Sequence, residues 1–246
     1  DSERDYGFCQ MVEAYADSGY PDEALELVDL IERESIKERA LASIACALAG
    51  LVRLEEAYEI ATSLVRKPNR NIALEALARA YLEAGQYDQA AELTAAIDRP
   101  RARADLAASI ERHLLEEGHY EKALDFALNI DHEPLRIRLV RDVATAYVSA
   151  SRGANLCEIA DTLADSSAKA AFLISVAEHY ASMQNYGEAI RSALTIAEPE
   201  NATDAMLAIA RCQLESRDTS QATQTLYLAD STAALIQSPK ASAKSK

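Results

Sequence analysis

The sequence of 246 residues predicts an all-α protein, an α-solenoid of seven antiparallel helix–turn–helix repeats. The main observation is a period of 33 residues that continues without insertion through seven copies. A marker residue, apolar and usually alanine, recurs once in each copy: Ala24, Ala57, Ala90, Ala123, Leu156, Ala189 and Ala222. A fixed period in this range is typical of supersecondary units that stack on one another, rather than of a compact globule.

Two further apolar series keep the same period. The residues 13 positions before the markers are all apolar: Met11, Ile44, Leu77, Ile110, Val143, Val176 and Ile209. The residues seven positions after the markers are apolar as well: Ile31, Leu64, Ile97, Ile130, Leu163, Ile196 and Ala229. Each repeat therefore carries the same apolar stripe, which neighbouring repeats are expected to cover.

The third repeat shows how the two helices of a copy are recognised. Over residues 71–84 apolar side chains lie at offsets 0, 3, 4 and 7, which is one face of an α-helix. Gly85 follows, and glycine readily adopts the left-handed conformation found at helix ends. A second helix is predicted from Tyr87 to about Asp98, and Pro100 then opens the next repeat.

The same turn residues recur along the chain. Glycine occupies one turn at Gly19, Gly85 and Gly118, and proline occupies the other turn at Pro68, Pro100, Pro134 and Pro199. Short connections force antiparallel packing, and one pair of helices cannot bury its stripe alone. We expect one solenoid domain over residues 1–230, with repeats at about 5–37, 38–70, 71–103, 104–136, 137–169, 170–202 and 203–235.

Two repeats and the tail depart from this pattern. In the fifth repeat, the run at 149–156 replaces the usual turn and predicts a softer joint. The seventh repeat has polar residues where the others are apolar, which predicts a solvent-facing cap. These residues are Gln213, Arg217, Thr223 and Thr225. The polar composition of residues 236–246 predicts a disordered tail.

Three repeats share a set of characteristic residues: Leu77, Ala78, Tyr81, Gly85, Tyr87, Ala90 and Pro100 in the third repeat, Gly118, Tyr120, Ala123 and Pro134 in the fourth, and Ala177, Tyr180, Tyr186, Ala189 and Pro199 in the sixth. At these positions the chain resembles the tetratricopeptide repeat, and the resemblance covers residues 5 to about 230. It implies a right-handed superhelix in which the first helix of every repeat lines a concave groove. It also implies that the groove holds a peptide or a segment of a partner protein.

On that mapping the groove carries charged residues of both signs. They are Arg79, Arg112, Arg138, Arg141, Arg211, Glu75, Asp105, Glu178 and Asp204. Arg79 and Arg112 hold the same position in successive repeats, so we expect them about 8–10 Å apart. Arginines in this position can bind carboxylates of a partner through forked hydrogen bonds. The alternative is that they are solvated or pair with the acidic residues of the groove.

The charge of the chain narrows the choice of partners. The formal net charge is −15, which opposes a nucleic-acid partner because such proteins usually carry a basic footprint. The sequence has four cysteines, far apart and without metal-ligand spacing, and no apolar run long enough to cross a membrane. We expect a soluble protein of a reducing compartment, either the cytoplasm or an organelle matrix or stroma. A removed leader is left open, because the chain starts at Asp1 rather than Met.

Nothing in the sequence indicates a reaction centre. His113 and His179 lie two repeats apart, too far to share a metal, and neither His119 nor His132 has a zinc-ligand pattern around it. Cys9 and Cys46 both map to the groove, where they are either small packing residues or, less favoured, a redox pair. Phosphate-binding loops and nucleophile or zinc-protease motifs are missing. We therefore expect no catalytic residue, no metal and no cofactor.

The sequence thus favours a non-catalytic scaffold, adaptor or assembly factor with a chaperone-like role, which binds a segment of another protein in its groove. One alternative is a structural subunit that docks permanently into a larger complex through its convex face or its ends. A ligand-binding regulator or enzyme is less favoured. So is a binder of single-stranded nucleic acid, for which the groove arginines are the only support.

Overall fold

The structure, a computed structural model, describes residues 2–150 and 156–242, with side chains to residue 236. These residues form helices joined by turns. The first helices of the pairs are α1 Ser2–Asp17, α3 Glu34–Gly50, α5 Lys67–Glu83, α7 Pro100–Glu116, α9 Glu133–Ser149, α11 Ser166–Ser182 and α13 Pro199–Glu215. The second helices are α2 Pro21–Val28, α4 Leu54–Ser63, α6 Tyr87–Ala96, α8 Tyr120–Leu128, α10 Leu156–Thr162, α12 Tyr186–Leu194 and α14 Thr219–Ser242.

The all-α prediction is confirmed, and the helices pack in sequence as pairs, an arrangement consistent with a solenoid. From α3 to α13 every first helix has 17 residues and begins 33 residues after the previous one. In the third repeat this helix begins at Lys67, earlier than the sequence predicts, because Pro68 lies in its first turn rather than before it. The joint predicted in the fifth repeat falls mostly on residues 151–155, which lie outside the described residues.

The chain divides into two compact units, Asp1–His113 and Leu114–Lys246, and each is described by itself. In the N-terminal unit, α1 packs on α2 and α3, α3 on α4 and α5, and α5 on α6. In the C-terminal unit, α8 packs on α9, α9 on α11, α11 on α12 and α13, and α13 on α14. A single continuous domain over residues 1–230 stays a prediction.

The periodic apolar residues form the core. The seven markers from Ala24 to Ala222 are at most 5% exposed. Six of them are alanine, whose small side chain lets the helix backbones approach closely. The series of residues before the markers is fully buried from Ile44 to Ile209, and only its first member, Met11, is exposed, at 46%. Of the series after the markers, the residue least covered is Ile130, which is half-buried. The stripe read from the sequence is therefore the packing surface between helices.

The turn inside each pair uses one left-handed residue. Gly19, Gly85 and Gly118 have φ angles of 82°, 71° and 77°. The equivalent residues of three other repeats, Val52, Gln184 and Arg217, adopt φ angles of 60–63° although they are not glycine. The next residue always closes the helix end: the Gln86 N–H, for example, donates to the Tyr81 carbonyl at 2.9 Å. The turn geometry is therefore common to all described turns of this kind.

The seventh repeat differs from its prediction. Arg217 and Thr223 are exposed, as a solvent-facing cap requires, but Gln213 and Thr225 are 0% and 1% exposed, so that part of the prediction is wrong. Both are core positions of the repeat, equivalent to Tyr81 and Leu93 of the third repeat, which are buried as well. Helix α14 also continues over residues 236–242 of the segment predicted to be disordered, while 243–246 lie outside the described residues.

Candidate functional site

The first helices of the C-terminal unit form a groove of about 550 Å³ between α9 and α11. Its lining is mainly polar: Pro134, Ile137, Arg138, Arg141, Asp142, Thr145, Ser175, Glu178, His179 and Ser182. These residues recur three or four apart on each helix, so one face of α9 opposes one face of α11. The structure thus brings together three of the residues singled out from the sequence, Arg138, Arg141 and Glu178.

The two arginines of this groove have different electrostatic surroundings. The Arg141 Nη2 atom lies 3.0 Å from the Glu178 Oε2 atom, so this ion pair joins α9 to α11. Arg138 is exposed and forms no ion pair with any residue that the structure describes. Asp142 lies near both, and partial withdrawal from water raises the pKa of its carboxyl, a rise that the charges of Arg138 and Arg141 oppose. Arg138 is therefore the cation most available to a ligand.

Hydrogen bonds hold the base of the same groove. The hydroxyls of Thr145 and Ser175 are 3.0 Å apart, and the Ser175 hydroxyl donates to the Arg141 carbonyl at 3.0 Å. Further along, Ser149 Oγ lies 3.1 Å from His179 Nε2. These bonds join α9 to α11 directly, so the charged side chains project from a braced surface.

In the N-terminal unit some residues singled out from the sequence are exposed and one is buried. Arg79 is exposed and has no ion pair within the described part of the chain, and Arg112 and Asp105 are exposed as well. Glu75 is only 8% exposed, and its carboxylate lies 3.1 Å from the Arg99 guanidinium. Glu75 is thus a buried structural partner of Arg99 and not the open groove residue that the sequence predicts.

A second groove, of about 560 Å³, lies in the N-terminal unit between α1, α3 and the start of α5. Across it the Arg39 guanidinium donates to the Glu13 carboxylate at 2.8 and 3.3 Å, in the forked manner typical of arginine. Asn69 and Ile72 contribute to its wall. This groove contains Cys46, which the sequence maps to the groove, but neither Arg79 nor Arg112; its charged pair Arg39 and Glu13 was not singled out from the sequence.

The remaining candidates, Arg211 and Asp204, lie on α13 and are exposed. The Arg211 Nε atom is 3.2 Å from the Glu215 carboxylate, one turn further along the same helix. An exposed pair of this kind is worth only a few tenths of a kcal/mol. Neither residue lines the groove between α9 and α11.

The cysteines of the N-terminal unit are free thiols. Burial, together with the nearby Glu13 carboxylate, raises the pKa of Cys9 to about 11. Burial also raises the pKa of Cys46. The Sγ atoms of Cys9 and Cys46 each lie 3.9 Å from a backbone carbonyl, of Ile36 and Ile72 respectively. Both thiols are therefore protonated at neutral pH, which makes them weak nucleophiles and poor metal ligands.

The histidines also bond to their surroundings. The His113 Nδ1 atom is 2.8 Å from the Ser109 carbonyl on its own helix. Over the residues that the structure describes, no three His, Cys, Asp or Glu side chains gather as a group that could hold a metal ion. Within those same residues, no helix is both long and apolar enough to cross a membrane.

Three buried polar residues that join successive repeats were missed in the sequence. Asp5, Glu38 and Asn71 lie at the same position of α1, α3 and α5 and are 3–5% exposed. Each accepts backbone N–H groups where the next repeat begins: Asp5 from Arg33 at 3.0 Å, Glu38 from Val65 and Arg66 at 3.3 and 3.0 Å, and Asn71 from Asp98 at 3.1 Å. A polar side chain repeated in three successive copies was the available signal.

Fold and grooves together define an all-helical protein of paired helices, consistent with a helical repeat, whose first helices line grooves, the one between α9 and α11 being mainly polar. A comparison with protein-family models and with curated proteins finds no match for this chain. Its function is therefore inferred from the geometry of the grooves.

Proposed function

We propose that this chain is a non-catalytic scaffold, adaptor or assembly factor that binds an extended segment of another protein along its first-helix face. The helix pairs are then tetratricopeptide-like repeats of a right-handed superhelix, and no residue has a catalytic role. The observation that carries the proposal is the braced groove between α9 and α11, in which Arg138 is exposed without an ionic partner among the described residues.

The groove favours a partner segment that carries a carboxylate. A carboxylate placed against Arg138 can receive two parallel N–H bonds from its guanidinium. The adjacent Arg141 already pairs with Glu178, so a second acidic group has to compete with that carboxylate. Such competition discriminates between partners more than it increases affinity. The Thr145 and Ser182 hydroxyls donate their protons to carbonyls of their own helices, so their oxygens can accept N–H groups of a peptide backbone.

The test compares the protein with a variant that removes both groove cations, Arg138→Gln with Arg141→Gln. The matched control is Arg191→Gln, because Arg191 is exposed on the second helix α12 and pairs with Glu188 at 2.7 Å on that same helix. Partners are isolated by affinity pull-down from native extract, identified by mass spectrometry, and then titrated as purified proteins against all three forms.

We expect the double variant to lose the partner while its helicity is unchanged, and the Arg191 control to retain it. A partner that binds all three forms equally would place the interface outside this groove. That result would favour the alternative, a structural subunit that docks through its convex face or its ends. Binding of single-stranded nucleic acid remains the least favoured function, since the net charge of −15 repels a polyanion.

A further inference from the structure

The groove between α1, α3 and the start of α5, which we call the N-terminal groove, differs in chemistry from the groove between α9 and α11. Three polar residues of the groove between α9 and α11 have small residues at the same repeat positions four repeats earlier: Cys46, Ala47 and Gly50 stand for Glu178, His179 and Ser182. A Cβ atom at Gly50 would meet no atom within 4 Å, so the space above it is open. Small side chains of α3 therefore form the surface of the N-terminal groove.

Two large aliphatic side chains border this surface. Leu51, at the end of α3, and Ile72, on α5, are each 48% exposed. Ile72 holds the repeat position of Arg138, so one position supplies an aliphatic side chain here and a cation in the groove between α9 and α11. Both side chains are open although α3 packs on α1 and on α5. Exposed apolar side chains beside polar ones are typical of a surface that binds another molecule.

One charge of the N-terminal groove is left without a partner. Glu13 and Arg39 neutralise each other through their forked pair. Asp17, one turn after Glu13 at the end of α1, is exposed and has no ion pair with any residue that the structure describes. The last turns of α1 and α3 hold no basic residue, and each carries the negative end of a helix dipole. This end of the N-terminal groove is therefore negative.

Cys46 and the surrounding sequence show the same sign of charge. Burial raises the pKa of the Cys46 thiol, and the charges of Asp17 and Glu75 raise it further. Glu75 is paired with Arg99, whereas Asp17 is open. Residues 2–66 carry 14 acidic and 6 basic side chains, net −8. A field of this sign attracts cationic ligands.

We propose that the N-terminal groove binds a segment of a partner protein in which a lysine or arginine stands beside an aliphatic residue. The cation lies against the Asp17 carboxylate. The aliphatic side chain contacts Leu51, Ile72 and the small residues of α3, which removes apolar surface from water. The inference rests on the proposed scaffold function for the kind of ligand, a protein segment, but not on the groove between α9 and α11, which selects a carboxylate instead.

The test begins with peptides selected on the wild-type chain from a phage library of random sequence. Each selected peptide is then titrated against the wild type and against Asp17→Asn, which removes the charge and keeps the shape. The matched control is Glu23→Gln, which changes the net charge equally, because Glu23 is exposed on α2 and lies outside the groove.

A second variant fills the space of the N-terminal groove. Gly50→Leu places a large side chain above α3, and both the helical backbone and the open space at Gly50 accept it. Its control is Gly187→Leu on α12, because Gly187 is also exposed and a Cβ atom there would meet no atom within 4 Å. Circular dichroism checks that all variants keep the helicity of the wild type.

We expect a class of selected peptides with lysine or arginine next to an aliphatic residue. They should bind Asp17→Asn about three- to fivefold more weakly than wild type, as expected for loss of an exposed ion pair. This difference should disappear at an ionic strength of about 1 M, which screens exposed charges. Gly50→Leu should weaken the same peptides about tenfold, because its side chain occupies their space. Neither control should weaken them.

Thiol footprinting locates the bound peptide. Cys46 is half-buried and lines the N-terminal groove, so a peptide at ten times its Kd should slow modification of Cys46 by N-ethylmaleimide about tenfold. Cys212, half-buried on α13, should react at an unchanged rate. Unchanged modification of Cys46 would overturn the proposal.

The titrations also contain results that would overturn it. These are selected peptides that bind all forms equally, peptides that depend on Asp17 but carry no cation, or a selection that yields no peptide dependent on this groove. The Arg138→Gln, Arg141→Gln variant should bind the basic peptides as wild type does, and Asp17→Asn should retain the carboxylate-bearing partner of the groove between α9 and α11. Failure of this inference is therefore distinguishable from failure of the proposed function.

Discussion

Replacing Val52 by glycine is expected to stabilise the N-terminal compact unit. Val52 holds the left-handed turn position between α3 and α4 with a φ of 63°, where Gly19 and Gly85 stand in the repeats on either side. A branched side chain at positive φ is a rare and costly arrangement. The Val52 side chain is 67% exposed, so its removal sacrifices little buried surface.

The size of the effect follows from two opposing contributions. The left-handed conformation destabilises a residue with a Cβ atom by about 1–2 kcal/mol, and glycine avoids this cost. Glycine in turn gives the unfolded chain more freedom, which cancels about 0.5–1 kcal/mol of that gain. We expect a net stabilisation of about 0.5–1 kcal/mol, or a rise in Tm of about 1–4 °C for a chain of this size.

The assay is urea unfolding followed by circular dichroism, with the reverse change Gly85→Val as its counterpart. A Cβ atom at Gly85 would meet no atom within 4 Å, so only the φ of 71° opposes valine there. We therefore expect Gly85→Val to destabilise by about 1 kcal/mol. If Val52→Gly lowers stability and Gly85→Val is harmless, the argument from turn conformation is refuted.

Two further predictions concern buried groups of the N-terminal unit. Glu38→Ala should destabilise the protein by about 2 kcal/mol in urea unfolding, because the N–H groups of Val65 and Arg66 lose a charged acceptor. Glu38→Gln keeps an oxygen acceptor and should recover part of that stability. Equal destabilisation by both variants would contradict this role of Glu38. The raised pKa of Cys9, about 11, means that the folded state resists deprotonation of this thiol, so its contribution to stability is complete below the unfolded pKa and is lost as the pH rises towards 11. Cys9→Ala, which copies Ala42 of the next repeat, should therefore lose less stability between pH 9 and 11 than wild type, and parallel curves would refute the claim.

Much of the fold was predictable because the same packing pattern occurs in several copies of the repeat. A single alanine at Ala90 is weak evidence, but alanine at the same position in six of the seven copies identifies a close helix contact. Glycines at three equivalent turns likewise identified the left-handed residue. Val52 was not recognised as the left-handed residue of its turn, because valine is disfavoured at positive φ. Only the turn geometry that it shares with the other repeats identifies it.

The candidate site was less predictable, because the position of a charged residue on a first helix does not show which residue of a neighbouring helix it contacts. Arg141 and Glu178 are 37 positions apart, and their ion pair depends on the packing of α9 against α11. Glu75 looked like a groove residue and is a buried partner of Arg99. The groove between α1 and α3 arises where side chains of two helices meet, which the pattern of a single helix does not display.

The sequence by itself determined the helical class, the period, the position of the turns and the residues of the core. These are consequences of local chain geometry and of a stripe repeated every 33 residues. The tertiary structure alone decided that Arg141 pairs with Glu178 across α9 and α11, that Arg138 has no ionic partner among the described residues, and that Gln213 and Thr225 are buried. The physical reason is that exposure and pairing depend on neighbours distant in sequence, whereas helices and turns depend on residues three or four apart.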